Sequence, residues 1–453
     1  MAAPPITVWT GLDKTMSTAT KASPADVKGG PFARFVAATE IDTRLLGMAG
    51  ALLLIWVGFH FYGVLVNDNG AFLTPRNLWN LSVQMCSIGV MATGMVLVIV
   101  TRNIDLSVGS VLGFVGMVMG VLQVEWLPPL MGLGNPAIWI ITVVVGLSLG
   151  LLIGMMNGFL IAYLGIPSFI VTLGGLMGWR GAAYLTTAGR TIAPVDANFA
   201  LVGGGPYGAI GSTGSWIIGM IACAAVLYGL WAGRANRRKH DFPQRPVWAE
   251  TFLGVVGCGL IIGAVLVVDA YPWPIGIVKK YIADNGLTVA PEDVFIAHGF
   301  AYPVLILAVV AIAMTILMTR TRFGRYVFAI GGNPEAAALS GINVQWMTVK
   351  IFALMGMLAG LSAVISSARL TSATNALGQT DELYVIAAAV IGGTSLAGGV
   401  GTIYGAVLGA LVMESLRTGM VLIGFDTALQ NIVVGIVLVV AVYLDILYRR
   451  RTK

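Results

Sequence analysis

Charge is scarce in this sequence. Only 10% of its 453 residues are Asp, Glu, Lys or Arg, against about 25% in a soluble globular chain, so a water-exposed globule is excluded. Histidine is rarer still: His60, His240 and His298 stand far apart and offer no pair for a metal or a catalytic dyad. Cys86, Cys223 and Cys258 all fall inside apolar runs without metal-ligand spacing, which is where small core residues belong. No Gly-x-x-x-x-Gly-Lys-Ser/Thr stretch occurs. If ATP powers this protein, the nucleotide must therefore bind another chain. No paired carboxylates or nucleophile and base suggest an enzyme, so the expectation is no catalytic residue, no metal site and no cofactor in this chain. The polar start has no apolar h-region, and the reading expects an uncleaved, loosely ordered tail from Met1 to about Thr39.

Apolar residues fill the space that charge leaves, at 57% of the chain, with 59 glycines. A span of a hydrocarbon core about 30 Å thick needs about 17 to 25 apolar residues. Such runs occur at 45–66, 78–100, 106–123, 138–163, 168–187, 215–233, 251–269, 301–319, 348–369, 402–420 and 430–447, with a shorter one at 383–396 that reads as a half-length helix. The expected fold is all-α, a polytopic transmembrane bundle of about twelve segments with both termini on one side. Its divisions are a tail at 1–44, a membrane domain at 45–447 and a tail at 448–453.

The net charge of +6 could suggest nucleic acid. Placement argues against it, because the cations gather in a few short loops, as the positive-inside rule requires. They are Lys14, Lys21, Lys28, Arg34 and Arg44; Arg234 to Arg245 within the loop 234–250; Arg320, Arg322 and Arg325 within the loop 320–347; and Arg449 to Lys453. These loops are expected in the cytoplasm. The long loops 187–214 and 270–299, with scattered cations such as Arg76 and Arg190 on the same side, are expected outside. The second of them has room for a short surface helix.

Within the loop 320–347, RTRFGRYVFAIGGNPEAAALSG reads as one short helix with both ends marked. Asn333 can cap it, Pro334 suits a first helical position, Glu335 favours the positive end of the macrodipole, and Gly341 can close it in the left-handed conformation. About two turns of helix, carrying Ala336, Ala337 and Ala338, need a partner to be stable. Elsewhere Gly146, Gly150, Gly154 and Gly158 recur every four residues, as do Gly401, Gly405 and Gly409. Such rows let membrane helices approach closely. Asn157 beside the first row either bonds a neighbouring helix or faces a substrate path. Asp105 in IDLSVGS reads as a helix cap for Ser107 and Val108 in preference to an intramembrane acid. Glu414 and Arg417, three apart, can neutralise each other. IGGTSLAGGVG at 391–401 has glycines but no lysine for phosphate, and reads as a close-packed helix junction.

Taken together, RTRFGRYVFAIGGNPEAAALSGINV, IDLSVGS, PSFIVTLGGL and IGGTSLAGGVGT resemble the signature stretches of ABC-transporter inner-membrane permeases of the ribose and xylose class. The resemblance spans most of 45–447. An extra pair of segments around the loop 234–250 is similar to the xylose subgroup, while Tyr384 stands where the family often has Asp. The resemblance implies a homodimeric permease in the bacterial inner membrane importing a monosaccharide, D-xylose first, by alternating access. It implies an ATP-binding partner that holds ATP and Mg, a periplasmic sugar-binding protein, and contact with membrane lipid. Asn333, Pro334, Glu335, Ala336, Ala337 and Gly341 would then couple to the ATPase, and Asn157, Ser168 and Thr172 would line the sugar path. An ion-coupled secondary transporter, with Asp105 or Glu414 as its acid, is the alternative.

Overall fold

The computed structural model describes residues 30–67 and 70–452. Lys14, Lys21, Lys28 and Lys453 of the expected tails lie outside the described residues. All twelve apolar runs fall on helices: Thr43–Asn67, Pro75–Val100, Val108–Met131, Ala137–Ala162, Ser168–Thr187, Gly211–Lys239, Val247–Asp269, Tyr302–Arg320, Val344–Leu370, Asp381–Ile391, Ile403–Leu422 and Thr427–Thr452. Nine of them, among the described residues, are long and apolar enough to cross a membrane. Asp381–Ile391 has 11 residues, about 16 Å, and reaches half-way at most. The described residues hold no strand, only isolated bridges such as Ile192 with Ala373. In the loop 270–299 the surface helix is Ile275–Asp284.

The chain divides into two compact units. The larger runs through Arg44–Gly219 and from Ile262 onward. Its centre is Pro75–Val100, started by Thr74, whose hydroxyl accepts the Asn77 N–H, with Pro75 at the first helical position. Hydropathy alone does not reveal that this helix is central. Its best window has mean hydropathy 2.1 and is 94% buried, whereas Thr43–Val66 has 1.9 and is 0% buried within the chain. Within the central helix Ser87, Gly89, Ala92, Thr93 and Gly94 let neighbours close on all sides. Ser362 donates to the Ser87 carbonyl at 2.9 Å, and Ser366 to its hydroxyl at 2.9 Å, tying Val344–Leu370 to this core.

The glycine rows mark the tightest contacts. A Cβ on Gly150 would run into the Gly356 carbonyl oxygen, and one on Gly154 into that of Phe352. On Gly158 it would stand 2.7 Å from the Val349 Cα. Gly146 differs, facing only the flexible end of Met119. In the second row Gly405 meets the Gly392 carbonyl and Gly409 that of Ala388, while Gly401 faces side chains of Val96, Val100 and Thr394. Backbones this close gain dispersion contacts that no larger residue would permit.

The smaller unit joins the described N-terminal residues up to Thr43 with Met220–Ile261. Residues expected in the loose tail form a helix here, Pro31–Thr39. Pro31 supplies a pre-set first residue, and Phe35 packs on Trp248 and edge-on to Phe252, ring centres 6.1 and 5.3 Å away. Glu40 closes the helix in the left-handed region at φ 53° and reaches Arg237 at 2.6 Å and Arg245 at 2.8 Å. The bonds from Arg237, helped by Arg245, outweigh the opposing effect of burial and lower its carboxyl from 4.5 to about 2. Arg234 pairs with Glu250 in the same unit.

Candidate functional site

All the elements below belong to the larger unit. The stretch 320–341 is two helices, not one. Arg322–Gly332 begins where the Thr321 hydroxyl accepts the Gly324 N–H at 3.4 Å, and it buries Gly324, Val327, Ile330 and Gly331. Asn333 ends it and starts Pro334–Leu339: its side-chain oxygen accepts the N–H groups of Glu335 at 3.0 Å and Ala336 at 3.1 Å. Gly341 then turns the chain at φ 83°, where any other residue would be strained. Ala337 points inward and is 4% exposed, so it seats the helix on the chain's own core and leaves the outer surface to Glu335, Ala336, Ala338 and Leu339. Leu339 is 90% exposed. It was missed in the sequence because a leucine in an Ala-rich helix looks like core.

Three turns meet behind this helix. Arg102, itself left-handed at φ 63°, donates from Nε to the Gly331 carbonyl at 3.0 Å and from Nη2 to that of Gly332 at 2.6 Å. The Gly399 N–H donates to the Val100 carbonyl at 2.9 Å, and a side chain on Gly331 would collide with both partners of that bond. The glycines of 391–401 therefore serve a backbone-to-backbone junction, where the 101–105 turn, the 331–332 helix end and the 398–399 turn lock together. Arg102 carries no local sequence signal, since its partners lie 229 and 230 residues away.

The second interruption follows Val344–Leu370. Residues 371–380 are not helical, with Thr371 and Thr380 at positive φ, before Asp381–Ile391 begins. Unwound backbone packed among spans must find partners inside the protein. Arg180 supplies them: its guanidinium donates to the carbonyls of Asn375 at 3.0 Å, Leu377 at 2.8 Å and Gly378 at 3.1 Å. Ala373 pairs through its backbone with Ile192, and Gly378 lies against Gly109 too closely for a side chain on either. Below, Glu414 approaches Arg417 no nearer than 4.0 Å. Arg417 sits 5.4 Å over the Tyr384 ring, so the residue that departs from the family pattern supports a cation by its π face.

Asn157, Ser168 and Thr172 do come together, around the 104–107 turn. Asn157 Nδ2 donates to the Ser107 hydroxyl at 3.1 Å, Ser168 accepts the Ile104 N–H at 3.4 Å, and Thr172 donates to the carbonyls of Ser168 at 2.8 Å and Ile104 at 3.3 Å. Each makes at least one bond within the protein, Asn157 and Thr172 are buried, and the arrangement is a clasp. Asp105 accepts from the Ser107 N–H at 2.8 Å and its hydroxyl at 2.6 Å; it does not reach Val108, because the helix starts two residues later than capping by Asp105 requires, with Ser107 at the cap position. Burial pushes the Asp105 carboxyl up, against the pull of both Ser107 bonds. Among the described residues no cluster of His, Cys, Asp and Glu could hold a metal ion.

This arrangement of small-residue spans, an interrupted segment and an outward helix has relatives. The xylose transport system permease protein of Escherichia coli (strain K12) is 36% identical over 438 residues, 95% of this chain and 100% of that protein. Its namesake in Haemophilus influenzae is 36% identical over 403 residues, 87% and 94% of the two chains. The ribose import permease protein of Escherichia coli (strain K12) is 31% identical over 374 residues, 83% and 87%. No solved structure is a significant match. The family model described as branched-chain amino acid transport system / permease component matches residues 77–442; the chain belongs to this family of multi-pass membrane permeases.

Proposed function

We propose that the chain is the membrane subunit of an ATP-driven importer that moves a monosaccharide, D-xylose first, across the bacterial inner membrane. The relatives named for xylose and ribose transport support the sugar. Two copies would form the path, bathed by lipid, with both termini and the 234–250 and 320–347 loops in the cytoplasm and the 187–214 and 270–299 loops in the periplasm. A separate subunit would bind ATP and Mg, and a periplasmic protein would deliver the sugar.

The observation that carries this reading is the Pro334–Leu339 helix. Six residues cannot hold a helix alone in water. Here one inward alanine and two fixed ends present a 90% exposed leucine, the form of a rigid peg awaiting a socket. Asn333, Pro334, Glu335, Ala336 and Gly341 shape the peg, Ala337 roots it, and Leu339 makes the contact. Asn157, Ser168 and Thr172 are assigned to holding the 104–107 turn beside the path. An ion-coupled cycle would need an acid open to water, and Asp105 and Glu414 are 3% and 1% exposed.

The test is sugar import and sugar-stimulated ATPase activity in proteoliposomes holding the whole transporter. Leu339→Asp should reduce import about tenfold or more, since a lost buried leucine contact of about 1.5–3 kcal/mol has that effect, and Gly341→Asp should reduce it by straining the turn at φ 83°, with insertion unchanged in both. Full-rate import by both variants would refute the peg.

A further inference from the structure

At the far ends of the same helices lies a cavity of about 380 Å³, within the range of about 300–1,000 Å³ usual for small-molecule sites. One wall is the first turns of Pro75–Val100, with Trp79, Asn80 and Gln84; another is Arg369, at the end of Val344–Leu370; the third is the glycine turn Gly203–Gly205. Trp79 and Arg102 bracket the Pro75–Val100 helix, so the cavity stands about 30 Å from the junction behind the peg.

The lining has a chemistry. Asn80 and Gln84, four apart, share a helix face. Among the described residues their amides and the Arg369 guanidinium engage no hydrogen-bond partner. Trp79 Nε1 already donates to the Gly299 carbonyl at 2.9 Å, and the indole is fixed against His298, 4.9 Å between ring centres. Gly203 presses against the backbone of Ala368 and Arg369 with no room for a Cβ, which holds the third wall against the second. Two amides that both donate and accept, a fork of N–H donors and a fixed aromatic ring suit a molecule with many hydroxyls and an apolar C–H face. Arg369 is the one charged side chain of this lining, set among amides, an aromatic ring and backbone, and a guanidinium bonds neutral hydroxyls through the same N–H fork.

We infer that this cavity receives a neutral monosaccharide, with Asn80, Gln84 and Arg369 bonding its hydroxyls and Trp79 beneath its C–H face. Naming the ligand a sugar rests on the import reading above, and the experiment separates the two. Asn80→Cys and Gln84→Cys chains, each assembled in the whole transporter in proteoliposomes, are labelled with a membrane-impermeant thiol reagent, wild type giving the background of the native cysteines. D-xylose should slow labelling at one or both positions, about tenfold at ten times its half-protecting concentration, and the open-chain polyol mannitol should not. Protection at neither position, equal protection by mannitol, or no labelling at either overturns the inference. Uptake of labelled D-xylose by wild-type vesicles judges the import reading separately: uptake without protection removes the cavity alone, and protection without uptake of any monosaccharide removes the import reading alone.

Discussion

Two regions of this chain fasten helices by opposite means. Between Ala137–Ala162 and Val344–Leu370 the fastening is absence: Gly150, Gly154 and Gly158 bring backbone onto backbone, and no charge takes part. In the smaller unit Glu40 grips Arg237 and Arg245, and Phe35 lies among rings that still touch solvent. A contact made of missing side chains tolerates no added volume but ignores salt and pH. One made of ions tolerates added volume and yields to both.

The sharpest way to break the comparison is Gly154→Val. With the Phe352 carbonyl in the way, overpacking should cost about 3 kcal/mol or more, seen as a large fall in unfolding temperature in detergent and in monodisperse yield. Next comes a cation that serves the glycine-packed unit as a backbone partner. Arg180→Gln deprives three carbonyls of a partner, for a loss of about 1–3 kcal/mol that is insensitive to salt; import should fall with stability. Within the row, Gly150→Ala meets backbone while Gly146→Ala meets the mobile end of Met119. The first should therefore lower thermal stability by about 1–3 kcal/mol and the second by under about 1 kcal/mol.

The smallest effect belongs to the ion clasp. Glu40→Gln should cost at most about 1 kcal/mol, because the carboxylate side chain is 38% exposed and solvent screens it. Its folded value of about 2 lies below the ordinary 4.5, so the contribution is complete above about pH 5 and fades as pH falls towards 2. Wild type and variant should differ in unfolding temperature at pH 7, converge by pH 2, and converge in molar salt as well. A difference that persists in molar salt at pH 7 would show that the directed hydrogen bonds from Arg237 and Arg245, rather than screened charge, make the clasp.

Legibility in the sequence follows the range of the interaction. Spans, glycine rows and the Asn333 and Gly341 ends are written within a few residues, and each can be read there. The helix Arg322–Gly332 was hidden by three arginines around it, although Val327 and Ile330 keep a helical spacing. That Ala337 points inward depends on the angle at which the short helix meets the core, which three identical alanines do not encode. The clasp on the 104–107 turn was not legible because Asn157, Ser168 and Thr172 look alike whether they face sugar or backbone; for Asn157 the bond to a neighbouring segment was one of the two readings open. Arg180 and Arg102 take partners about 200 residues away, and no periodicity announces such a pairing.

Arg102 has a mechanical consequence. Its guanidinium spans two successive carbonyls at the root of the peg, and its own backbone is held next to the Val100–Gly399 bond. Such a joint has no slack. A thrust of a few ångströms delivered at Leu339 cannot be absorbed by side-chain rearrangement at the root; it must arrive together at the ends of Pro75–Val100, Val344–Leu370 and the turn before Ile403–Leu422. The first two of these helices carry the cavity walls at their other ends, so on the proposed reading they would serve as paired push-rods with a common drive, the stroke at one end setting the width of the opening at the other.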